Sequence, residues 1–507
     1  MAEMKHYTLG EYVKLLEEKG MLAEYNLQGK DGEEIKLLTY DSREVTQGTL
    51  FICKGAAFKA EYLKNSMNQG AVCYVSEKKY ELEKEVPYIL VKGIRDAMAV
   101  LANFFYNKPW EDLAVIGFGG TKGKSTSTYY MKAVVDDYLA AQDKPESAVI
   151  STIDIYDGKS KVESHITTPE AVELQMHLRN ALDCNIEYAE MEISSQALKY
   201  GRVDEMQFDV SVFLNISEDH ISPIEHPDFE DYFQSKMKMF EKSKTAVVNL
   251  DADYIDQILE ASKAAGEVVT FSTKNPEADY YAYNIHKEGK DIHFSVKCEA
   301  FDEEFVLTMP GFFNVENALG VVAASVKLGI PTEYIHSGLR RARSSGRMEF
   351  YHSKDHEVMA IVDYAHNKLS FEKLFSAMKE EFPDYGLVAI FGCPGKKSLL
   401  RRKYLGTIAG QYSKMVYLVA EDPGYEPVED ISKEIAQYVE AQNCPYKMIE
   451  DRGEAIKDAI ETAEGKTLLL VTGKGAETRQ KYGCEYLDCP SDVEYVQRYL
   501  AEYDSRH

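Results

Sequence analysis

Short apolar runs alternate with stretches of helical spacing along most of this chain, and the alternation predicts strands and helices in succession. Near the start, Leu9 to Lys19 reads as a helix, while Ile35-Lys-Leu-Leu-Thr-Tyr40 and Ala71-Val-Cys-Tyr-Val75 read as strands. Asn107-Lys-Pro-Trp110 interrupts the pattern. An apolar run from Val115 then enters a glycine-rich turn, and strands such as Tyr188 to Ile193 and Ser211 to Ile216 alternate with helical stretches up to about residue 345. Asp228 to Phe240 reads as one of those helices, and Ser344-Ser-Gly346 as a hinge. Beyond it, Ala360-Ile-Val362, Leu387-Val-Ala-Ile-Phe391, Met415-Val-Tyr-Leu-Val419 and Thr467-Leu-Leu-Leu-Val471 predict buried strands between helices. The expectation is an α/β protein of three domains, 1–110, 111–345 and 346–507, with a mostly parallel central sheet whose site lies at the strands' carboxyl ends. No internal repeat and no low-complexity linker is evident.

A chain of 507 residues exceeds what one core supports, which agrees with three domains. Its 45% hydrophobic and 28% charged residues are those of a soluble globular protein. No run approaches the roughly 20 apolar residues that span a bilayer, and Met1-Ala-Glu-Met-Lys-His-Tyr7 is no signal peptide, so a cytoplasmic protein without membrane insertion is expected. The net charge of −26 argues against a nucleic-acid partner and for small-molecule substrates held by local basic groups. Eight scattered cysteines read as reduced thiols; Cys484 and Cys489 have no matching pair, so a zinc site is not expected.

The chemistry begins at Gly117-Phe-Gly-Gly-Thr-Lys-Gly-Lys-Ser125. Glycines let backbone N–H groups approach phosphate oxygens, and the helix that follows presents its positive end. Lys124 adds a point charge, and the Ser125 hydroxyl can ligate Mg²⁺, so the site wants ATP or GTP. Glu192 closes the strand Tyr188-Ala-Glu-Met-Glu-Ile193, where a carboxylate suits a Mg²⁺–nucleotide site. The spacing G-x-x-G-T-x-G-K-S resembles that of the Mur ligase superfamily. So do Glu192-Ile-Ser-Ser195, Asn215 to Asp219-His220, and Tyr232 to Lys236.

That resemblance, which covers nearly the whole chain, implies the roles of individual residues. ATP would be bound by Gly120, Thr121, Gly123, Lys124, Ser125 and Thr126, with Asn314 and Asn317 of Gly311-Phe-Phe-Asn-Val-Glu-Asn317 near the adenine. Arg347 of Gly346-Arg-Met-Glu349, with Asp363 and His366 of Asp363-Tyr-Ala-His366, would complete the nucleotide site. Two Mg²⁺ ions would be held by Ser125, Glu192, His220 and Lys236, the lysine as a carbamate made from CO₂. Lys124, Lys236, His220 and Arg347 would be catalytic. Thr39-Tyr-Asp-Ser-Arg43 resembles the family's uridine-nucleotide module, and Ser42, Thr167, Thr168, Ser194 and Arg202 would hold a UDP-linked acceptor. Asp422, Gly473 and Glu477 would hold the incoming amino acid, in a Rossmann-like C-terminal domain.

Within the superfamily these elements favour the branch that adds the third residue to UDP-MurNAc-dipeptide, in peptidoglycan synthesis, by a monomeric ATP-dependent carboxylate–amine ligase. Where diaminopimelate-adding members read Asp-Asn-Pro-Arg, this chain reads Glu421-Asp-Pro-Gly424, so the arginine that would clamp a distal carboxylate is missing. L-Lysine or a similar diamino acid is therefore expected. Lys396-Lys-Ser398 stands for the family's Asp-Arg-Asp, and either lysine could reach into the pocket and replace that arginine, which would favour diaminopimelate instead; Gln196, Ala476 and Ser222 to Pro227 also depart from the family pattern. Two rival readings remain: a paralogue acting on another carboxylate acceptor, and a partner subunit that only binds nucleotide. The joint presence of Lys124, Ser125, Glu192, His220, Lys236 and Arg347 argues against the second.

Overall fold

The computed structural model of the protein describes residues 4–55, 58–164, 166–219, 221–222, 225–343, 346–396 and 400–507. His220, the hinge serines 344 and 345, and Lys397 lie outside the described residues. Three sheets follow one another along the chain, and the α/β expectation holds.

The first sheet has five strands between Leu22 and Val91, parallel except for the antiparallel pair Leu22–Asn26 and Tyr88–Val91. The helix Leu9–Glu18 covers it, burying Leu9, Tyr12, Val13 and Leu16 at the spacing of one helical face. Thr8 and Glu11 form a capping box at its start.

The second sheet has eleven strands. Its centre is the phosphate-loop strand Ala114–Gly119, flanked in parallel by Tyr188–Ile193 and Phe208–Phe213. All three are buried from solvent almost throughout, which is why they read as continuous apolar runs rather than alternating ones. Gly117 and Gly119 are there for packing: a Cβ on either would lie 2.3 Å from Ile193 or 2.4 Å from the Met239 sulfur. The expectation of a mostly parallel sheet misses two antiparallel extensions. One edge carries Asp154–Tyr156 and Lys161–Glu163, and the other carries Tyr280–Glu288, Asp291–Lys297 and Asp302–Leu307. The helices Lys124–Ala140, Phe313–Lys327 and Thr332–Arg341 pack on the core these strands share.

The third sheet has six strands, parallel but for Glu349–His352, and the strands Val358–Asp363, Gly386–Phe391 and Thr467–Thr472 form its buried centre. A two-stranded hairpin, Arg479–Tyr482 with Glu485–Asp488, stands beside it. In each of the two larger sheets the strands end toward the same interface, and the side chains discussed next come from those ends.

Candidate active site

The turn after Gly119 is shaped by glycines at positions only glycine adopts easily. Gly120 and Gly123 have φ of +144° and +85°, and a Cβ at Gly123 would lie 2.2 Å from Asn317 Oδ1. A bare backbone is therefore required. The turn is braced by the next strand's end: Thr121 N–H donates to the Asn215 carbonyl at 3.0 Å and Lys122 N–H to Asn215 Oδ1 at 2.9 Å. Thr121 Oγ1 lies 2.9 Å from the Tyr232 hydroxyl and accepts from Ser217 N–H at 3.0 Å. Lys124 opens the helix and folds back, its Nζ donating to the carbonyls of Gly120 at 3.0 Å and Thr121 at 3.2 Å.

Lys236, on the helix Phe229–Met237, donates to the same Gly120 carbonyl at 2.8 Å and is 3% exposed. Burial, with the Lys124 charge adding to it, holds this amine well below the usual lysine range. Lys124 is lowered for the same first reason, and Lys122 is pushed down to about 8. Glu192 is buried at its strand's end and accepts from Thr152 N–H at 2.8 Å.

The C-terminal segment closes over this loop. The Arg347 guanidinium donates to Ser125 Oγ at 3.0 Å and lies 4.5 Å from the Tyr364 ring centre. Asp363, with its carboxyl raised by burial, accepts from Met348 and Ala365 N–H groups at 3.0 and 2.7 Å. Asn367 donates to Asp219, which also faces Lys122 at 3.6 Å and Arg401 at 3.7 Å. Between them lies an open cleft of about 690 Å³ bordered by Gly123, Thr126, Asn317, Arg347 and Asp363. Its walls carry Lys122, Arg347 and Lys373, and Lys124 opens the helix just behind Gly123, a set that fits a bound polyanion. The Ser125 hydroxyl and the Glu192 carboxylate are oxygen donors of the kind Mg²⁺ takes. Asn314 does not border the cleft; it donates to Pro310 O at 2.7 Å and receives Asn317 Nδ2 at 3.0 Å, orienting its neighbour.

Toward the first sheet, Thr168 Oγ1 donates to the Glu192 carbonyl at 2.9 Å and accepts from Ser194 N–H at 3.1 Å. Arg202 donates to Thr168 O at 3.1 Å and pairs with Glu170 at 2.9 Å; Glu170 in turn takes Lys54 of the first sheet's region at 2.7 Å. Thr167 accepts from Thr152 Oγ1 at 3.2 Å. Ser42 sits half-buried beyond the strand Leu37–Thr39, outside this network.

On the other side, an open pocket of about 1200 Å³ lies against the C-terminal sheet. His366 borders this pocket, not the nucleotide cleft, and burial holds its imidazole well below the usual range. Asp422, Gly473 and Glu477 also border it, and Lys474 bridges the two carboxylates, 3.1 Å from Asp422. Burial pushes the Glu421 carboxyl up to about 7. Gly424, at φ +59°, is locked to the hairpin: its N–H donates to Lys481 O at 3.1 Å and its carbonyl accepts from Gly483 at 2.7 Å. Arg401, Lys474, Lys481 and Tyr364 line this pocket without having been singled out from the sequence. Lys474 and Tyr364 had local signals, lying inside Gly473-Lys-Gly-Ala-Glu477 and Asp363-Tyr-Ala-His366.

These features have counterparts in known proteins. Residues 119–325 match the Mur ligase middle domain and residues 346–475 the Mur ligase glutamate ligase domain. A UDP-N-acetylmuramoyl-L-alanyl-D-glutamate–L-lysine ligase of Enterococcus faecalis is 38% identical over 88% of this chain and 88% of its own. The chain belongs to the Mur ligase family. It is therefore an ATP-dependent, amide-forming ligase of peptidoglycan synthesis. A UDP-N-acetylmuramyl-tripeptide synthetase of Lactobacillus acidophilus is 31% identical over 98% of both chains. The solved structure of a UDP-N-acetylmuramoyl-L-alanyl-D-glutamate–2,6-diaminopimelate ligase shares the fold of this Mur ligase, with a TM-score of 0.66 and 22% identity over 99% of this chain and 100% of that one. Family members use ATP and Mg²⁺, in keeping with the oxygen donors of Ser125 and Glu192. No helix among the described residues is long and apolar enough to cross a membrane.

Proposed function

We propose that this Mur ligase, acting as a cytoplasmic monomer, joins L-lysine to a carboxylate of UDP-MurNAc-L-Ala-D-Glu. The observation that carries the choice of amino acid is the C-terminal pocket. There the carboxylates of Asp422 and Glu477 hold an ammonium, that of Lys474, while Gly424 offers no guanidinium to a distal carboxylate. The relatives at 37–38% identity named as L-lysine ligases support the same reading.

The acceptor carboxylate oxygen attacks the γ-phosphorus, the bond to ADP breaks, and an acyl phosphate forms. The lysine amine then attacks the acyl carbon, phosphate departs, and the amine proton is released to solvent. Lys124 and Arg347 neutralise charge on the transferred group, and Gly120, Thr121, Gly123 and Thr126 wrap the phosphates. Asn317, positioned by Asn314, and Asp363 hold the nucleoside end. Ser125 and Glu192 would hold one Mg²⁺, and Glu192, His220 and a carbamate on Lys236 a second, supplying charge neutralisation at the phosphoryl oxygens. The Lys236 amine, lowered by burial and by the Lys124 charge, would attack CO₂ in its unprotonated form, forming an N–C bond and losing a proton. Ser42, Thr167, Thr168, Ser194 and Arg202 receive the UDP-linked acceptor, and Asp422, Gly473 and Glu477 the amino acid.

Phosphate release with UDP-MurNAc-dipeptide and either amino acid tests this. We expect kcat/KM for L-lysine to exceed that for meso-diaminopimelate by about tenfold, since Gly424 supplies no bidentate guanidinium to a distal carboxylate. Preferred use of diaminopimelate would overturn the reading of Gly424.

A further inference from the structure

The antiparallel extension at the far edge of the central sheet brings two histidines and a glutamate together. The strands Tyr280–Glu288 and Asp291–Lys297 pair as Tyr281 with Lys297 through Tyr283 with Ser295, then shift by one residue so that His286 faces His293. The extra residue is a bulge, and Asn284 within it has φ +50°. Had the first register continued, His286 would sit opposite Ile292, which is wholly buried; the bulge turns His286 outward beside His293 instead. Glu304, on the third strand Asp302–Leu307, pairs with Ser295 and so lies diagonal to His293 on the same outer face.

Donor atoms of His286, His293 and Glu304 lie within 4.8 Å of one another. His293 Nδ1 is 3.1 Å from Glu304 Oε1, close to the roughly 3.3 Å between two ligands of one tetrahedral ion at about 2.0–2.1 Å. His286 Nδ1 is 2.9 Å from the Asn284 carbonyl, so it carries the proton and leaves Nε2 with a free lone pair. This is the arrangement in which a metal-binding histidine is oriented by its other nitrogen. Glu288 Oε2, 3.7 Å from His293 Nε2, supplies a further carboxylate at the rim.

We propose that this face binds one divalent transition-metal ion of the Zn²⁺ class through His286, His293 and Glu304. Two imidazoles select such an ion over Mg²⁺, which takes oxygen ligands, so the site is chemically separate from any Mg²⁺ bound at Ser125 and Glu192. The ion clips three strands across their outer face. On their inner face Ile292, Phe294, Phe305 and Leu307 enter the core that also holds Val315 and Leu319 of the helix beginning at Phe313.

The test uses the full, tag-free chain in millimolar Mg²⁺, with Zn²⁺ titrated against a chromophoric chelator. One equivalent is expected to bind with micromolar Kd and to raise Tm by a few degrees. His286→Ala, at an exposed position, and His293→Ala should each weaken binding at least tenfold and abolish the Tm rise, while leaving the metal-free Tm within about a degree of the parent. Glu304→Gln should weaken it less. Absence of stoichiometric binding, or equal binding in parent and both histidine variants, overturns the proposal; a metal-free Tm that falls on substitution leaves the chelator titration at low temperature as the deciding measurement.

Discussion

The nucleotide cleft and the C-terminal pocket hold charge in opposite ways. At and behind the cleft, Lys122, Lys124 and Lys236 are packed around the phosphate loop and all three are lowered by burial, with Glu192, Asp219 and Asp363 spread among separate backbone and side-chain partners. In the pocket, Lys474 is already paired with Asp422 and Glu477; burial lowers it, but the two carboxylates outweigh that and its net shift is upward. An incompletely neutralised cation cluster is poised for a polyanion, whereas a self-neutralised pocket discriminates between zwitterions by what it lacks. Gly424 is where that lack is written.

Four substitutions probe this contrast, from the largest expected effect to the smallest. Lys236→Ala removes the buried amine, and phosphate release should fall by about 10³-fold if a carbamate is needed there, with partial recovery in high acetate or formate. Mass or density for a carbamate on Lys236 is the direct check; full activity of the variant sinks the role. Lys124→Ala should lower kcat by about 10²-fold or more, measured as phosphate release at saturating ATP, because its charge acts most on the transferring phosphoryl group.

In the pocket, Gly424→Arg should raise kcat/KM for meso-diaminopimelate by roughly tenfold and depress that for lysine. Space exists, since a Cβ there meets only the Gly483 carbonyl at 3.9 Å, but the φ of +59° makes a side chain cost about 1 kcal/mol in stability. Unchanged selectivity would show that other residues decide the amino acid.

The smallest effect concerns Glu190, which lies in the strand Tyr188–Ile193 beneath the site and is wholly buried. Burial raises it to about 8, above the value of about 4.3 in an unfolded chain. Folding then favours the protonated form. Its contribution is fully present below about pH 4 and is lost as pH rises through about 8. Glu190→Gln should therefore gain stability relative to the parent as pH rises from about 6 to about 9. Denaturation midpoints at the two pH values check this, and a difference independent of pH refutes it.

Much of the fold was legible. The strand entering the phosphate loop, the helix carrying Lys236 and the four buried strands of the last third are found within a few residues of their expected places. The expected strand Ser211 to Ile216 instead spans Phe208–Phe213, because Leu214 to Ile216 leave the sheet so that Asn215 can hold the loop of Thr121 and Lys122. The three outer antiparallel strands were not anticipated. Their outward faces carry residues such as His293, Ser295 and Glu304, so their apolar signal is half that of a strand buried on both sides.

By itself the sequence determined the local chemistry: glycines that bare the backbone, a lysine and serine opening a helix, and a strand ending in Glu192, all set by neighbours within a few residues. Only the tertiary structure decided which distant groups meet them. Arg347 reaches Ser125 across 222 positions, His366 turns to the C-terminal pocket, and Lys474 occupies the carboxylates of Asp422 and Glu477. Such meetings depend on how the ends of two sheets face each other. That relation is fixed by packing between segments far apart in the chain, and no local pattern of residues encodes it.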